Sequence, residues 1–307
     1  MFKLFKNKLR SRINVEVSRI VDERMNKDEF IAIFLQMQQF FNAPDDMLAS
    51  KVEAKTDIHN LVERFENLGV TVKREIIDVD EFEKWIDTYP EMSKQYTNHG
   101  DVKIEKLLEH YRTTHYLNLE EAKTYIDVAA AASPFAGIIS KYTNCKGYSQ
   151  DLIFEQGIHG KKIGGDAGDM PVPDNFADVM TLHCAYECFQ GDSDIRFIKE
   201  ADRVLSNDGR LGIIPLYMDD VYFVKTGPKY DKRKVSVEPE ARWIWRDDEY
   251  KAEPFSRHYS PESFKSRIID NIINMNYEIL YFTNLYELIK KYSGQRIYCH
   301  FMFRAFK

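Results

Sequence analysis

Cysteine is scarce in this chain. Only Cys145, Cys184, Cys188 and Cys299 occur among 307 residues, and no two form a CxxC pair. That excludes a disulfide-stapled scaffold and a zinc ribbon. Cys184 and Cys188 stand four apart, a weak metal signal, and all four read as reduced thiols of a cytoplasmic protein. No apolar run reaches the ~20 residues that a bilayer span needs. The opening MFKLFKNKLRSRI is basic, but no apolar stretch follows it, so it does not read as a secretory signal. Positive charge is not in surplus either. Lys and Arg number 43 against 49 Asp and Glu, a formal net charge of -6, which argues against a dedicated nucleic-acid binder. What the chain does have is 44% hydrophobic, 30% charged and 13% aromatic residues, enough to bury a core and unlike any disordered or collagenous composition. At ~150 residues per domain, the length suggests two domains, or one with a large extension.

The first third reads as helical. Phe2, Phe5, Leu9 and Ile13 recur at helical spacing, with Lys3, Lys6, Lys8, Arg10 and Arg12 between them. Such a helix packs on its own protein or on the second subunit of a homodimer, or it makes peripheral membrane contact through residues 1–13. Residues 28–41 form a second apolar-striped helix, stopped by Asn42-Ala43-Pro44. Asp45 or Asp46 would cap a third helix running through Leu68, with Gly69 as its C-cap. VTVKREIIDV is β-branched and suits a short strand, and residues 79–96 return to helix with Trp85 on the apolar side. The reading sets residues 1–102 apart as a helical cap or oligomerisation region.

From residue 103 the texture changes. IEKLLEHYRTTHYLNL reads as a helix, and TYIDVAAAASPFAGIIS as a buried strand, a small-residue turn and a helix start. CKGYSQD is a second strand ending in an acid, KKIGGDAGD a third, DVMTLHCAYECF a fourth, and GRLGIIPLY a fifth after a turn at Asn207-Asp208-Gly209. SDIRFIKEADRVL is a helix between the last two. Strands alternating with helices imply an α/β fold, a doubly wound, mostly parallel sheet covered on both faces. YEILYF and RIYCHFMFRAF suit a C-terminal antiparallel pair joined by a helix. Residues 103–307 thus read as one domain with an insertion at 216–276 that carries Trp243, Trp245, Arg246, Arg257, His258 and Tyr259. It is either a solvated cover or functional.

In such sheets ligands bind beyond the carboxyl ends of the strands. Three successive strands end in acids, at Asp127, Asp151 and Asp166. Small residues follow Asp127, which lets a ligand approach the backbone, and the next helix N-terminus offers free N–H groups. A carboxylate at Asp151 suits two ribose hydroxyls, and Ala167 beside Asp166 leaves room for an adenine ring. Each acid alone has a simpler reading as a helix cap or turn residue.

These acids, with GDAGDMPVPDNFADVMTLH and FIKEADRVLSNDGRLGIIPLY, resemble class I S-adenosylmethionine-dependent methyltransferases of the methyltransferase type 11-like branch. The resemblance covers roughly residues 103–306 and implies a Rossmann-like sheet with S-adenosyl-L-methionine as cofactor. By that resemblance, Asp127, Ala129, Ala131 and Ser133 lie beside the methionine part. Asp151 holds the ribose, Asp166 and Ala167 the adenine, and Leu182 and His183 line the methyl-donor end. The family's first loop is usually rich in glycine, which reaches positive φ freely where alanine does not. Here it reads Asp127-Val128-Ala129-Ala130-Ala131-Ala132-Ser133-Pro134. Either it keeps φ negative with alanine just small enough, or the cofactor is lost and the chain is an inactive scaffold. A hydroxyl acceptor also needs a base. His183 is the first candidate, with Glu187 a helical turn later and His258 in the insertion as others, and Tyr217 and Tyr259 as orienters. No metal is expected, although His183, Glu187 and Asp219 would suit a divalent ion for a catecholate-type acceptor. The resulting expectation is a cytoplasmic methyltransferase of polysaccharide biosynthesis, acting on a small-molecule or saccharide acceptor such as a surface-glycan precursor.

Overall fold

The computed structural model describes residues 57–226, 237–245 and 255–307. The helices read at 1–13 and 28–41, and Arg246, lie outside the described residues. In chain order the described elements are α1 (Ile58–Asn67), β1 (Val72–Glu75), α2 (Val79–Thr88), α3 (Pro90–Gln95), α4 (Lys103–Tyr116), β2 (Thr124–Val128), α5 (Phe135–Tyr142), β3 (Lys146–His159), β4 (Lys162–Gly164) and β5 (Ala177–His183). They continue with α6 (Ser193–Val204), β6 (Leu205–Ile214), β7 (Phe223–Thr226), β8 (Arg242–Trp245), β9 (Phe255–His258), α7 (Pro261–Arg267), β10 (Asn276–Phe282), α8 (Leu285–Lys291) and β11 (Phe301–Phe306).

Caps fix several helix starts. The Asp57 carboxylate accepts the His59 N–H at 3.0 Å and the Asn60 N–H at 3.3 Å, and Asp78 does the same for Asp80 and Glu81 at the head of α2. Ser260 and Ser263 cap each other around Pro261 to start α7.

The main sheet has eight strands in the order β1-β10-β11-β6-β5-β2-β3-β4. From β6 through β4 the neighbours are parallel, whereas β11 runs antiparallel to both β6 and β10. This is the expected Rossmann-like arrangement with its antiparallel C-terminal pair. The short strand read at VTVKREIIDV is present as β1, and it pairs parallel with β10 at the sheet edge. Strand alternation divides the core. Ile126, Val128, Met180 and Leu182 pack on one face, and Tyr125 and Val179 on the other with Leu107, Leu108 and Tyr111 of α4.

Two strand readings need correction. β3 does not end near Asp151 but runs on to His159. It pairs with β4 from Ser149↔Lys162 to Asp151↔Gly164, curls over, and returns along β4 at Ile158↔Ile163 and His159↔Lys162. A β-hairpin thus replaces the helix that normally joins two parallel strands. The curl passes so close to Gly164 that a Cβ there would come 1.8 Å from the Glu155 carbonyl oxygen. Likewise Asn207-Asp208-Gly209 is no separating turn, since it lies within β6. The 216–276 insertion contributes a second sheet, β8-β7-β9, and α7.

His300, just before β11, makes folding sensitive to acid. Burial, with Arg112 nearby, pushes its imidazole down to about 4 from the ordinary 6.5. The unfolded chain therefore takes up this proton first as pH falls. The stabilisation is complete above pH 6.5 and is lost between 6.5 and 4. Urea unfolding at pH 8 and pH 5 should show a loss of roughly 2 kcal/mol from this residue. His300→Gln should lack that part of the loss; an unchanged pH difference in the variant would remove His300 as its source.

Candidate functional site

The sheet order reverses between β2 and β5. β3 and β4 extend from β2 on one side, and β6 extends from β5 on the other. Backbone strain collects at the carboxyl ends of these two strands. Among the described residues, the non-glycine residues at positive φ are Asn118, Asn175, Ala129 (51°), Ala131 (46°) and Cys184 (50°). Asparagine tolerates that region, whereas alanine and cysteine are held there by their surroundings, at about 1–3 kcal/mol each. Ala129 and Ala131 follow β2, and Cys184 follows β5.

Both outcomes anticipated for the alanine loop started from a loop unable to reach positive φ. The structure corrects this, because Ala129 and Ala131 take up the left-handed backbone that glycine would supply. Neighbouring groups hold it there. The Ala129 N–H donates to Gln150 Oε1 at 3.2 Å, Ala130 N–H to the Gln150 carbonyl at 2.9 Å, and Ala131 N–H to Asp151 Oδ2 at 2.7 Å. Gln150 is itself tied by Nε2 to the Gly165 carbonyl at 2.6 Å. Either Ala129→Gly or Ala131→Gly should therefore raise folding stability by about 1 kcal/mol in urea unfolding. A loss of stability would contradict a strained loop.

Asp127 is buried, and its Oδ1 lies 3.2 Å from His183 Nδ1 across the switch point. Its Oδ2 is buried without a hydrogen-bond partner. An orphaned carboxylate oxygen at the floor of a left-handed loop fits the cationic end of S-adenosylmethionine. Asp151 accepts N–H groups from the loop and from Ile153 (3.1 Å). Ser133 sits where α5 begins and faces a cavity of about 840 Å³ shared with Lys141, Ser149 and Lys162. Asp166 takes the Gly168 N–H and Arg196, each at 2.8 Å. Burial works against its charge, yet these partners hold its carboxyl below the usual range. Ala167 is buried beside it. Leu182 needs correction: it is wholly buried in the core on the opposite face from His183, so its side chain packs in the core and does not line a crevice beside His183.

His183 is held through both ring nitrogens. Nδ1 faces Asp127, and Nε2 faces Thr113 Oγ1 of α4 at 3.0 Å. Its ring lies 4.1 Å from that of His110, whose imidazole burial pushes well below its ordinary range, with His183 adding to the effect. Next along, Lys106 Nζ contacts Glu109 Oε1 at 2.8 Å, Cys184 Sγ at 2.6 Å and the Tyr298 hydroxyl at 3.2 Å. Burial opposes the Lys106 charge, but Glu109 and Cys184 outweigh it and hold the ammonium above its ordinary range. Tyr298 stacks on Tyr217 (centroids 6.3 Å apart), and Tyr217 meets His258 at 5.4 Å. Glu187 lies on the short turn after β5, nearly buried.

The three predicted catalytic residues therefore fall along one polar seam, but not as equals. His258 is 3% exposed and stacks on Phe223 at 4.5 Å, which is the setting of a packed side chain. Tyr259 and Trp243 are also buried, so neither offers a free ring face. His183, Glu187 and Asp219 do not form a metal cluster, and among the described residues no group of three or more His, Cys, Asp or Glu side chains does. Sequence reasoning missed Lys106, Glu109, Thr113 and Arg196. The available signal was α4 itself, where Glu105, Glu109 and Arg112 stand at i, i+4 and i+7 on one helical face, and that charged face is buried. No helix among the described residues is long and apolar enough to cross a membrane.

Residues 145–213 match the family model of a methyltransferase domain. No curated protein matches the chain. Among solved structures, the chain is similar to an S-adenosylmethionine-dependent methyltransferase from Aquifex aeolicus at 15% identity and a TM-score of 0.38, over 70% of this chain and 96% of that one. It is also similar to the 1,6-didemethyltoxoflavin-N1-methyltransferase of Burkholderia thailandensis, solved with 1,6-didemethyltoxoflavin and S-adenosylhomocysteine, at 10% identity and 0.41, over 77% and 93%. A Mesorhizobium loti S-adenosylmethionine-dependent methyltransferase gives 12% and 0.41, over 64% and 97%.

Proposed function

We propose that this chain is a class I S-adenosylmethionine-dependent methyltransferase that methylates a small-molecule acceptor seated past the end of β5, with His183 as the proton acceptor. The observation that carries this reading is the Asp127–His183 pair at the switch point, flanked by strained backbone on both strands. When bound, the donor supplies a methyl group on a positively charged sulfur. Asp127, Ala129, Ala131 and Ser133 would hold its methionine part, Asp151 the ribose, and Asp166 with Ala167 the adenine.

Methyl transfer is chiefly a matter of positioning. Asp127 accepts the Nδ1 hydrogen of His183; this tautomer is assigned from the hydrogen-bond network. It leaves Nε2 basic and facing the buried Thr113 hydroxyl at 3.0 Å, through which it would take up the acceptor's proton. Glu187 and the Lys106–Glu109 pair would orient the acceptor. A saccharide-bearing acceptor, such as a surface-glycan precursor, suits the stacked and partly exposed Tyr217 and Tyr298. That none of the four cysteines forms a disulfide suits the cytoplasm.

The test is transfer of a labelled methyl from the donor into a small-molecule extract of the source cells. Label should enter a low-mass product, and His183→Ala should lower the rate by about 10²–10⁴-fold with little change in donor affinity. No label above a protein-free control would refute the activity, and equal rates in variant and parent would remove His183 as the base.

A further inference from the structure

Lys106 Nζ and Cys184 Sγ approach to 2.6 Å. An N–H···O bond normally spans about 2.7–3.2 Å, and sulfur is larger than oxygen. The pair is thus closer than a hydrogen bond to a thiol comfortably allows. It stands at the separation that one oxygen atom bonded to both would impose. We propose that Lys106 and Cys184 are a modification site at which oxidation by dioxygen joins the two side chains through a nitrogen–oxygen–sulfur bridge.

The surroundings hold both partners in place. Glu109 and Tyr298 fix the lysine head from two further directions. Cys184 sits in the left-handed region immediately after β5, a conformation kept only where neighbours over-determine it. Neither group is sealed off from a small oxidant, since the Lys106 side chain is 17% exposed and Cys184 is partly exposed.

The reaction balances with dioxygen as the sole oxidant. Glu109 and Cys184 hold the Lys106 ammonium against proton loss, so its extra proton leaves to solvent water as the bridge forms, because an oxygen-bound nitrogen is far less basic than an amine. The thiol and the amine react with one dioxygen molecule. The S–H bond and one N–H bond break, and an S–O and an O–N bond form. One oxygen atom stays in the bridge, and the other leaves as water with the two hydrogens. Sulfur and nitrogen give up two electrons each, and dioxygen takes up all four. The bridge would pin α4 to the end of β5, and it does not depend on which acceptor the enzyme uses.

The test is peptide mapping by mass spectrometry of the full chain after aeration, with and without later dithiothreitol. The expected result is a linked pair of peptides containing Lys106 and Cys184, about 14 Da heavier than the free peptides together. Dithiothreitol should release it. In Lys106→Arg, Cys184 should remain open to alkylation under the same aeration, and Cys184→Ser should yield no linked pair. If one variant fails to fold, the other still tests the link. Three results would overturn the proposal: unlinked peptides with alkylatable Cys184, a gain of about 16 Da confined to Cys184, or a linked pair about 2 Da lighter, which would be a direct sulfur–nitrogen bond.

Discussion

Arg257→Ala should cost about 3–5 kcal/mol of folding stability, the toll of breaking a buried charge network from one side. The Arg257 and Asp194 side chains are fully buried 3.0 Å apart, and Arg257 also meets Glu238 at 2.6 Å. The same guanidinium donates to the Phe189 and Gly191 carbonyls at 2.6 and 2.8 Å. It therefore ties β9 of the insertion to the segment after β5 that carries Glu187. Arg267 and the Tyr259 hydroxyl, each 2.7 Å from Asp194, would remain and keep the loss finite. Urea unfolding measures it directly. A change below about 1 kcal/mol would mean that the insertion is not clamped through this residue.

Asp151→Ala should weaken binding of S-adenosylhomocysteine by about 2–4 kcal/mol, roughly 30- to 1000-fold. Two losses add in the same direction. The carboxylate that would receive the ribose hydroxyls disappears. The Ala131 N–H, now held at 2.7 Å, loses its acceptor in a residue already in strained backbone. Asp151→Asn keeps one acceptor oxygen and should fall between the two. Calorimetric titration reads the difference, and unchanged affinity in the alanine variant would take Asp151 out of the site.

The central strands were legible because their cores are short apolar runs between breakers, and the C-terminal pair because two such runs close the chain. The acids at 127, 151 and 166 stood out because strand ends in this architecture face the ligand crevice, although β3 itself runs on past Asp151. The loop conformation was not. Alanine by itself favours negative φ, and only the Gln150 and Asp151 acceptors on the neighbouring strand reverse that preference. Nor was the run of β3 past Asp151, since DLIFEQGIHG combines exposed Leu152 and Ile153 with polar residues and lacks clean alternation. The role of α4 was hidden for a different reason. Lys106 and Glu109 resemble an ordinary surface pair three residues apart. Their burial comes from Cys184 and Tyr298, 78 and 192 residues away in the chain.

Whether a glycine-poor turn can keep a nucleoside sulfonium pocket is answered most directly by titrating the unmodified full-length protein with S-adenosylhomocysteine in a calorimeter. Saturable one-to-one binding in the micromolar range is the result predicted here. No heat of binding, or affinity no better than millimolar, would contradict it.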